Sequence, residues 1–479
     1  MEEIVDVYEG KNPQRLGAFA IEKKLREELG DNYNIKESFE LFKEATKEYQ
    51  KQELKEKSFK IFSKKTQTEQ FQKEQPIYYD NAGLWWLWNH ENLKWDLTDE
   101  VDILNMINKA HGVDVITSKS RTEILNSLKQ SGRLNKPKQF PPTWIQFKDK
   151  IFDINTGESF NPTPEYFTVN PIPYAINFNT ETPTFDKLFE EWVGENNKQL
   201  LYEILAYCLI QDYPIHRLFC FIGEGLNGKS CYLRIVRKFI GEQNTSATEL
   251  DTLLNSRFEI TRLYKKLICL MGETNFTEMA KTSVLKKLTG QDLIGFEYKN
   301  KVPFESINYA KILIATNNLP ATTDKTIGFY RRWLIVDFPN RFDEGKDILA
   351  SIPEEEYSNL ASKCLTLLPT LLKERSFTGE GSIEERLKKY EERSNPFDKF
   401  WNENIEEDSN GYISKKDFLE KINNWCKENR FRILSETSIA KYMKDKGVET
   451  MRKTMEWVEV QYNQEKPRYW VWAGIKWKN

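Results

Sequence analysis

Hydrophobic positions along the chain alternate between helical stripes and short, continuously apolar runs. The first clear run, 219–222, is followed by a glycine-rich turn and then by helical spacing over 231–239. Later runs within 265–273, 309–320 and 333–338 have the length of strands buried on both faces. Strand-like runs alternating with helical segments predict an α/β fold with a central parallel sheet.

Changes in this pattern divide the chain into predicted parts of different character. Four tryptophans, Trp85, Trp86, Trp88 and Trp95, mark an aromatic-rich part in which core packing is favoured over stacking on single-stranded bases, because their neighbours are apolar. A hairpin is expected at 144–157. The predicted parts are a helical appendage (1–75), a mixed α/β domain (76–180), a helical collar (181–213), a sheet-containing core (214–345), a helical lid or linker (346–395) and a winged-helix domain (396–479), the last with three helices followed by two strands.

Composition adds bounds on size and partners. The 479 residues are 39% hydrophobic and 13% aromatic, enough for several cores. A net charge of −3 argues against a generally basic nucleic-acid coat. Six scattered cysteines without a CxxC pair indicate neither a zinc site nor a disulfide framework. No secretory start or long apolar span is evident, which favours a cytoplasmic protein without a membrane partner.

The turn after the first apolar run carries the P-loop pattern Gly-x-x-x-x-Gly-Lys-Ser. Such a loop turns its backbone N–H groups toward phosphates at a helix N-terminus, while its lysine reaches the β- and γ-phosphates and its serine holds Mg²⁺. The pattern therefore predicts ATP and Mg²⁺ as cofactors. We expect Lys229 to lie on a surface loop and to pack little. The predicted nucleotide-binding residues are Gly223, Gly225, Asn227, Gly228, Lys229, Ser230 and Cys231.

Polar residues follow the later runs at the positions where ligands of open α/β sheets gather. Glu273 would polarise the attacking water, and Glu273 and Ser230 are the predicted ligands of the metal ion. Asn317 would orient the same water. Arg332, after Arg331, would stabilise transition-state charge across a subunit boundary. Taken singly, these residues are as typical of a solvated strand end, a turn and a charged surface. Their order behind a P-loop favours the catalytic interpretation.

The motifs Gly-Leu-Asn-Gly-Lys-Ser230, Glu273, Ala-Thr-Asn317-Asn-Leu-Pro and Arg332-Trp-Leu-Ile-Val-Asp-Phe-Pro-Asn340 resemble those of the superfamily III helicases. The similarity is greatest to phage and plasmid primase-helicases related to the poxvirus helicase-primase, over about residues 75–390. Many members have two adjacent acids at the second motif, whereas Gly272 precedes Glu273 here. The resemblance implies an AAA+-like ATPase core, a homo-oligomeric ring, usually a hexamer, ATP between subunits, and single-stranded or forked DNA as a partner, with a separate primase or polymerase as a further candidate.

The same resemblance implies a hairpin between the second and third motifs whose basic tip enters the ring channel. Lys299, Asn300 and Lys301 occupy the expected tip and could contact phosphates; a solvated turn is the alternative. The favoured function is a replicative DNA helicase of a virus, phage or plasmid-like element that moves on single-stranded DNA. Two alternatives remain open: a motor that packages or remodels duplex DNA, and a nucleotide-gated scaffold that recruits a primase or polymerase.

Overall fold

A computed structural model describes residues 75–478, apart from 112–117, 224, 273–277, 280, 344–346, 430–432 and 455–467. The predicted N-terminal appendage, up to residue 74, lies outside the described residues. By its contacts the chain divides into two compact units, one of residues 1–139 with 163–167 and the other of 140–162 with 168–479. The six parts drawn from the sequence, with the boundaries between them, stay predictions.

The first unit contains an antiparallel sheet of strands β1 (Ile77–Tyr79), β2 (Trp85–Asn89) and β3 (Lys94–Thr98), and helices α1 (Glu100–His111) and α2 (Ser118–Leu134). None of the four tryptophans of the aromatic-rich part is more than 3% exposed. Asp80 accepts a hydrogen bond from the Trp86 indole at 2.9 Å, which satisfies that polar group in the core. The core-packing interpretation of these tryptophans is confirmed.

The second unit begins with a small antiparallel sheet of β4 (Trp144–Gln146), β5 (Ile151–Asp153) and β6 (Ser159–Phe160), which includes the predicted hairpin. Two helices follow, α3 (Pro183–Val193) and α4 (Glu195–Tyr207). Gly194 separates them with a φ of 82°, a conformation that glycine adopts without steric cost. The helices predicted ahead of the core are therefore present.

The next elements are β7 (Leu218–Ile222), α5 (Lys229–Ile240), β8 (Thr245–Ala247), α6 (Leu250–Asn255), α7 (Arg257–Thr261), β9 (Ile268–Met271), β10 (Glu278–Met279), α8 (Thr282–Leu288), β11 (Leu293–Phe296), β12 (Phe304–Ile307), β13 (Lys311–Thr316), β14 (Ala321–Thr322), α9 (Ile327–Tyr330) and β15 (Trp333–Asp337). Five of these strands form a parallel sheet at the centre of this unit, in the order β15–β7–β13–β9–β8. All residues of β7 and β13 are buried, as continuous apolar runs predict. The predicted α/β class with a central parallel sheet is confirmed.

The C-terminal part contains one strand more than the pattern predicts. Strand β16 (Ile405–Ser414) pairs with β18 (Arg468–Trp477) in a three-stranded antiparallel sheet. Only Ile405 and Ile413 of the ten residues of β16 are buried, so its apolar alternation is too weak to mark a strand. No helix in the described residues is long and apolar enough to span a bilayer. The elements are α10 (Glu354–Glu374), α11 (Ile383–Ser394), α12 (Pro396–Asn404), β16 (Ile405–Ser414), α13 (Lys415–Glu428), α14 (Glu436–Asp445), β17 (Glu449–Thr454) and β18 (Arg468–Trp477).

Lys311, the first residue of β13, is completely buried. Its ammonium donates to the Ile210 carbonyl and lies 5.0 Å from the Tyr207 ring centroid. Burial lowers the pKa of Lys311 to about 7. Because this folded-state pKa lies below the unfolded value, the unfolded chain binds more protons between about pH 7 and pH 10, so stability rises with pH over that window.

We therefore expect the free energy of unfolding to rise between pH 7.5 and 9 by up to about 1.4 kcal/mol per pH unit more in the wild type than in Lys311→Met. Methionine keeps the length of the side chain and removes the titrating group. Urea denaturation of both proteins at the two pH values measures the difference. An identical pH dependence in the two proteins would contradict the lowered pKa of Lys311.

Candidate functional site

The loop between β7 and α5 has the conformation that its glycines allow. The φ angles of Gly225, Leu226 and Gly228 are 104°, 50° and 92°, and Gly228 is the N-cap of α5. The Phe342 N–H donates to the Leu226 carbonyl at 2.7 Å, which ties the loop to the segment after β15. The P-loop pattern thus lies between a central strand and a helix N-terminus, as its sequence predicts.

Gly223 is required by close packing at the start of this loop. An added Cβ would lie 1.8 Å from Asn227 Nδ2 and 2.5 Å from the Phe338 carbonyl oxygen. Asn227 Nδ2 itself donates to that carbonyl at 3.2 Å. Asn227 therefore connects the loop to the end of β15 across the space that a side chain at 223 would fill.

Trp192 of α3 contacts the loop and was not identified from the sequence. A Cβ on Gly228 would lie 2.6 Å from atoms Cδ1 and Nε1 of this indole, which is 1% exposed. The helix before the core therefore supports the turn from the loop into α5. A lone tryptophan in an amphipathic helix carries no signal of that contact, since its spacing only predicts burial.

We expect Gly228→Ala to destabilise the protein more than Gly225→Ala, by about 1–3 kcal/mol. Both substitutions strain a positive φ, but a Cβ at Gly225 has no neighbour within 4 Å, whereas one at Gly228 meets Trp192. Denaturant titration of the two variants measures the difference. Equal losses of stability in the two variants would show that the Trp192 side chain moves aside and does not support the loop.

Lys229, the first residue of α5, is only 6% exposed. Its ammonium donates to the Gly223 carbonyl at 2.5 Å, to Asn227 Oδ1 at 3.0 Å and to Asn317 Oδ1 at 3.3 Å. The expectation that Lys229 packs little on a surface loop is wrong, because three oxygens from the loop and from the end of β13 surround its ammonium.

Asn317 reaches the loop because of strand register. Thr316, the last residue of β13, is the Cα partner of Ile222, the last residue of β7. The residues that follow these strands, Asn317 and Gly223, therefore leave the same edge of the sheet, where parallel α/β sheets bind ligands. The structure brings Lys229, Asn227 and Asn317 together.

The other predicted site residues near the loop differ in accessibility. Ser230 is exposed, and Cys231 is half-buried, where burial raises the pKa of its thiol. Glu273 lies outside the described residues. The last described residue before it is Gly272, which directly follows β9. Its role as catalytic acid and metal ligand stays a prediction.

Arg332 is 7% exposed and bound within its own chain. Its Nε donates to Thr289 Oγ1 at 2.9 Å, and its Nη2 donates to the Lys286 carbonyl at 3.3 Å. Its Nη1 donates to the Gly328 carbonyl. Burial, and then the charge of the adjacent Arg331, lower the pKa of Arg332. The guanidinium therefore joins the start of β15 to the end of α8, while Arg331 is partly exposed.

Helix α11 supplies two cations to the end of β15, and sequence analysis missed both. Lys389 Nζ and Arg393 Nη2 each lie 2.8 Å from an oxygen of Asp337. Lys389 also donates to the Ile335 carbonyl at 2.8 Å. Their four-residue spacing places them on one face of the helix, but the same spacing is typical of solvated helix surfaces.

The predicted basic hairpin is present as β11 and β12. Phe296 stacks on Phe304 with ring centroids 5.8 Å apart, and Tyr298 stacks on Phe304 at 6.3 Å. Lys299, Asn300 and Lys301 form the exposed turn, with a φ of 62° at Asn300. Aromatic residues therefore pack behind the basic turn, and the contact of that turn with DNA stays a prediction.

Comparisons with known proteins found one family model and several solved structures that are similar to parts of this chain. Residues 221–332 match the profile of DUF5906, a family of unknown function. The match begins within β7 and ends at Arg332, so it includes the loop, the hairpin and Asn317. An apo structure of the NrS-1 C-terminal region (305–718) is similar to the chain with a TM-score of 0.43 and 15% identity, over 87% of this chain and 99% of that chain. The A form apo structure of that region is similar with a TM-score of 0.42 and 13% identity, over 86% of this chain and 98% of that chain. At these values the likeness carries no functional assignment.

Proposed function

We propose that the protein is a ring-forming, Mg-ATP-driven DNA helicase of the superfamily III type with an AAA+-like core. One observation carries the proposal: the Lys229 ammonium lies between the P-loop and Asn317, at the carboxyl ends of two neighbouring parallel strands. A cation at the N-terminus of α5, beside an amide that can orient water, is the arrangement that phosphoryl transfer requires.

The loop residues fit ATP and Mg²⁺. The left-handed conformations at Gly225 and Gly228 suit a loop whose N–H groups turn toward phosphate oxygens, and Lys229 would exchange its amide partners for the β- and γ-phosphates. The exposed hydroxyl of Ser230 would hold the Mg²⁺, which neutralises charge on the phosphates. Glu273 would accept a proton from the attacking water, and Asn317 would orient that water.

The contacts of Arg332 favour Arg331 as the residue that crosses the subunit boundary. Moving Arg332 into a neighbouring site would break three hydrogen bonds within its own chain and expose a buried turn. Arg331 is partly exposed beside it and would be free to contact the γ-phosphate of a neighbouring subunit. In this account Arg332 positions Arg331 by fixing the turn between α9 and β15.

The same proposal assigns the remaining parts. Lys299, Asn300 and Lys301 would grip single-stranded DNA in the channel of a homohexamer. The three helices and the antiparallel sheet after residue 395 support a winged-helix domain. The setting would be the host-cell cytoplasm during replication of a virus, phage or plasmid-like element, with priming or synthesis by a separate protein.

Phosphate release from Mg-ATP by the purified chain, with and without single-stranded DNA, tests the proposal. We expect turnover that DNA stimulates and that disappears when Mg²⁺ is chelated. Absence of turnover in every oligomeric fraction, with and without DNA, would overturn it.

A further inference from the structure

A cavity in the C-terminal part of the chain has no role in the proposed ATPase. Its volume is about 540 Å³, and it lies between the first turns of α13 and α14 and the start of β18. Lys415, Lys416, Glu436, Tyr469 and Trp470 contribute to its lining. The question is which ligand suits this combination of aromatic rings and charges.

The aromatic part of the cavity is exposed beyond what the core requires. Trp470 and Trp472 lie on the same face of β18, because side chains alternate along a strand. Trp472 is 4% exposed and belongs to the core of this part of the chain, whereas Trp470 is 50% exposed. Tyr469, beside it, is 41% exposed. An indole and a phenol left open next to a cavity provide flat surfaces for a ligand.

Cations flank the exposed indole. The Arg452 guanidinium, opposite Trp470 on β17, lies 4.7 Å from the Trp470 ring centroid. The Lys415 ammonium lies 5.5 Å from the same ring and 4.1 Å from that of Trp472. With Lys416, these cations outnumber Glu436, the one carboxylate among the described residues of the lining. The surface therefore suits an anionic ligand that also carries flat rings.

We propose that this cavity binds single-stranded nucleic acid, with a base stacked on Trp470 and neighbouring phosphates in contact with Lys415, Lys416 and Arg452. A base in a duplex cannot offer its face to an indole, because both faces are covered by the neighbouring base pairs. An apolar peptide would account for the rings but not for the cations that lie within 6 Å of their centroids. The site needs no bound nucleotide, so it stands or falls independently of the ATPase.

Binding of fluorescein-labelled oligo-dT and oligo-rU to the full chain, measured by anisotropy without ATP, tests this site. We expect Trp470→Leu to weaken binding by roughly 5- to 100-fold, as loss of one stacked base predicts, and Trp470→Phe to restore part of it. Lys416→Gln should flatten the log–log salt dependence by about 0.7 if it loses one phosphate contact. The two oligonucleotides separate DNA from RNA preference.

Phe258 is the matched control. It is 49% exposed, and the Arg257 guanidinium lies 5.0 Å from its ring centroid, but it lies in α7, far along the chain from the cavity. Phe258→Leu should bind as the wild type does. Equal affinities of Trp470→Leu and wild type, or equal losses in the Trp470 and Phe258 variants, would overturn the proposal.

Photocrosslinking of wild-type protein to oligonucleotides that contain 5-bromodeoxyuridine gives a test that does not depend on the folding of a variant. We expect crosslinked peptides to include Trp470. Crosslinks confined to the hairpin turn at 299–301 would also overturn the proposal.

Discussion

Lys229→Ala is expected to reduce ATP turnover by at least about 100-fold, because the variant loses the cation that would contact the β- and γ-phosphates in the proposed site. The same change removes a buried ammonium from three oxygen acceptors, so the loop should also lose some stability. Phosphate release measures the first effect and urea denaturation the second. Near wild-type turnover in the variant would contradict the assignment of the loop.

Glu273→Gln separates hydrolysis from nucleotide binding. If Glu273 acts on the attacking water, the variant should bind ATP with near wild-type affinity and fail to turn it over. Binding of a fluorescent ATP analogue is measured for Glu273→Gln and for Lys229→Ala, and the two affinities are compared with that of the wild type. Equal loss of binding and turnover in Glu273→Gln would indicate a structural role for that residue.

Arg331→Ala and Arg332→Ala are expected to fail for different reasons. A finger that acts across the subunit boundary contributes about 10³-fold or more to turnover, so Arg331→Ala should lose activity without losing stability. Arg332→Ala should lower the free energy of unfolding by about 2–4 kcal/mol, because it leaves a buried turn without its hydrogen bonds. Turnover and denaturation measured side by side distinguish the two roles.

Mixing inactive variants tests whether the site is shared between subunits. Arg331→Ala and Lys229→Ala protomers should together rebuild some interfaces in which each partner supplies its intact half. Partial recovery of ATP turnover is the expected result. If the subunits are shown to exchange and turnover does not recover, the arginine acts in the same subunit as Lys229. A normal free energy of unfolding in Arg332→Ala would instead assign the finger role to Arg332.

The central sheet and the hairpin could be predicted because their signals are local. Continuous apolar runs such as β7 and β13 indicate strands buried on both faces, and a glycine-rich turn before helical spacing indicates the loop. Strand β16 gave no such signal, because only Ile405 and Ile413 of its ten residues are buried and the seven residues between them show no apolar alternation. Its pairing with β18 depends on tertiary contacts that no local pattern contains.

The sequence identified most residues of the candidate site, but it predicted the contacts between them less well. The positions of Lys229 and Asn317 behind apolar runs indicated that both would lie at the ligand-binding edge of the sheet, since carboxyl ends of parallel strands share one edge. The contact between Trp192 and Gly228 and the ion pairs of Asp337 join distant segments, and their residue types are equally typical of an ordinary core or surface. The burial of Arg332 was unforeseen because an arginine pair before a strand is usually solvated.

The central claim is that ATP hydrolysis at the Lys229 loop drives strand separation. Unwinding of forked DNA with either a 5′ or a 3′ tail, recorded together with phosphate release in the same reaction, tests it most directly. The account predicts unwinding of one of the two substrates that requires Mg-ATP and is absent in Lys229→Ala. Sustained ATP hydrolysis by the wild type without separation of either fork would contradict the helicase and favour a remodelling motor or a nucleotide-gated scaffold.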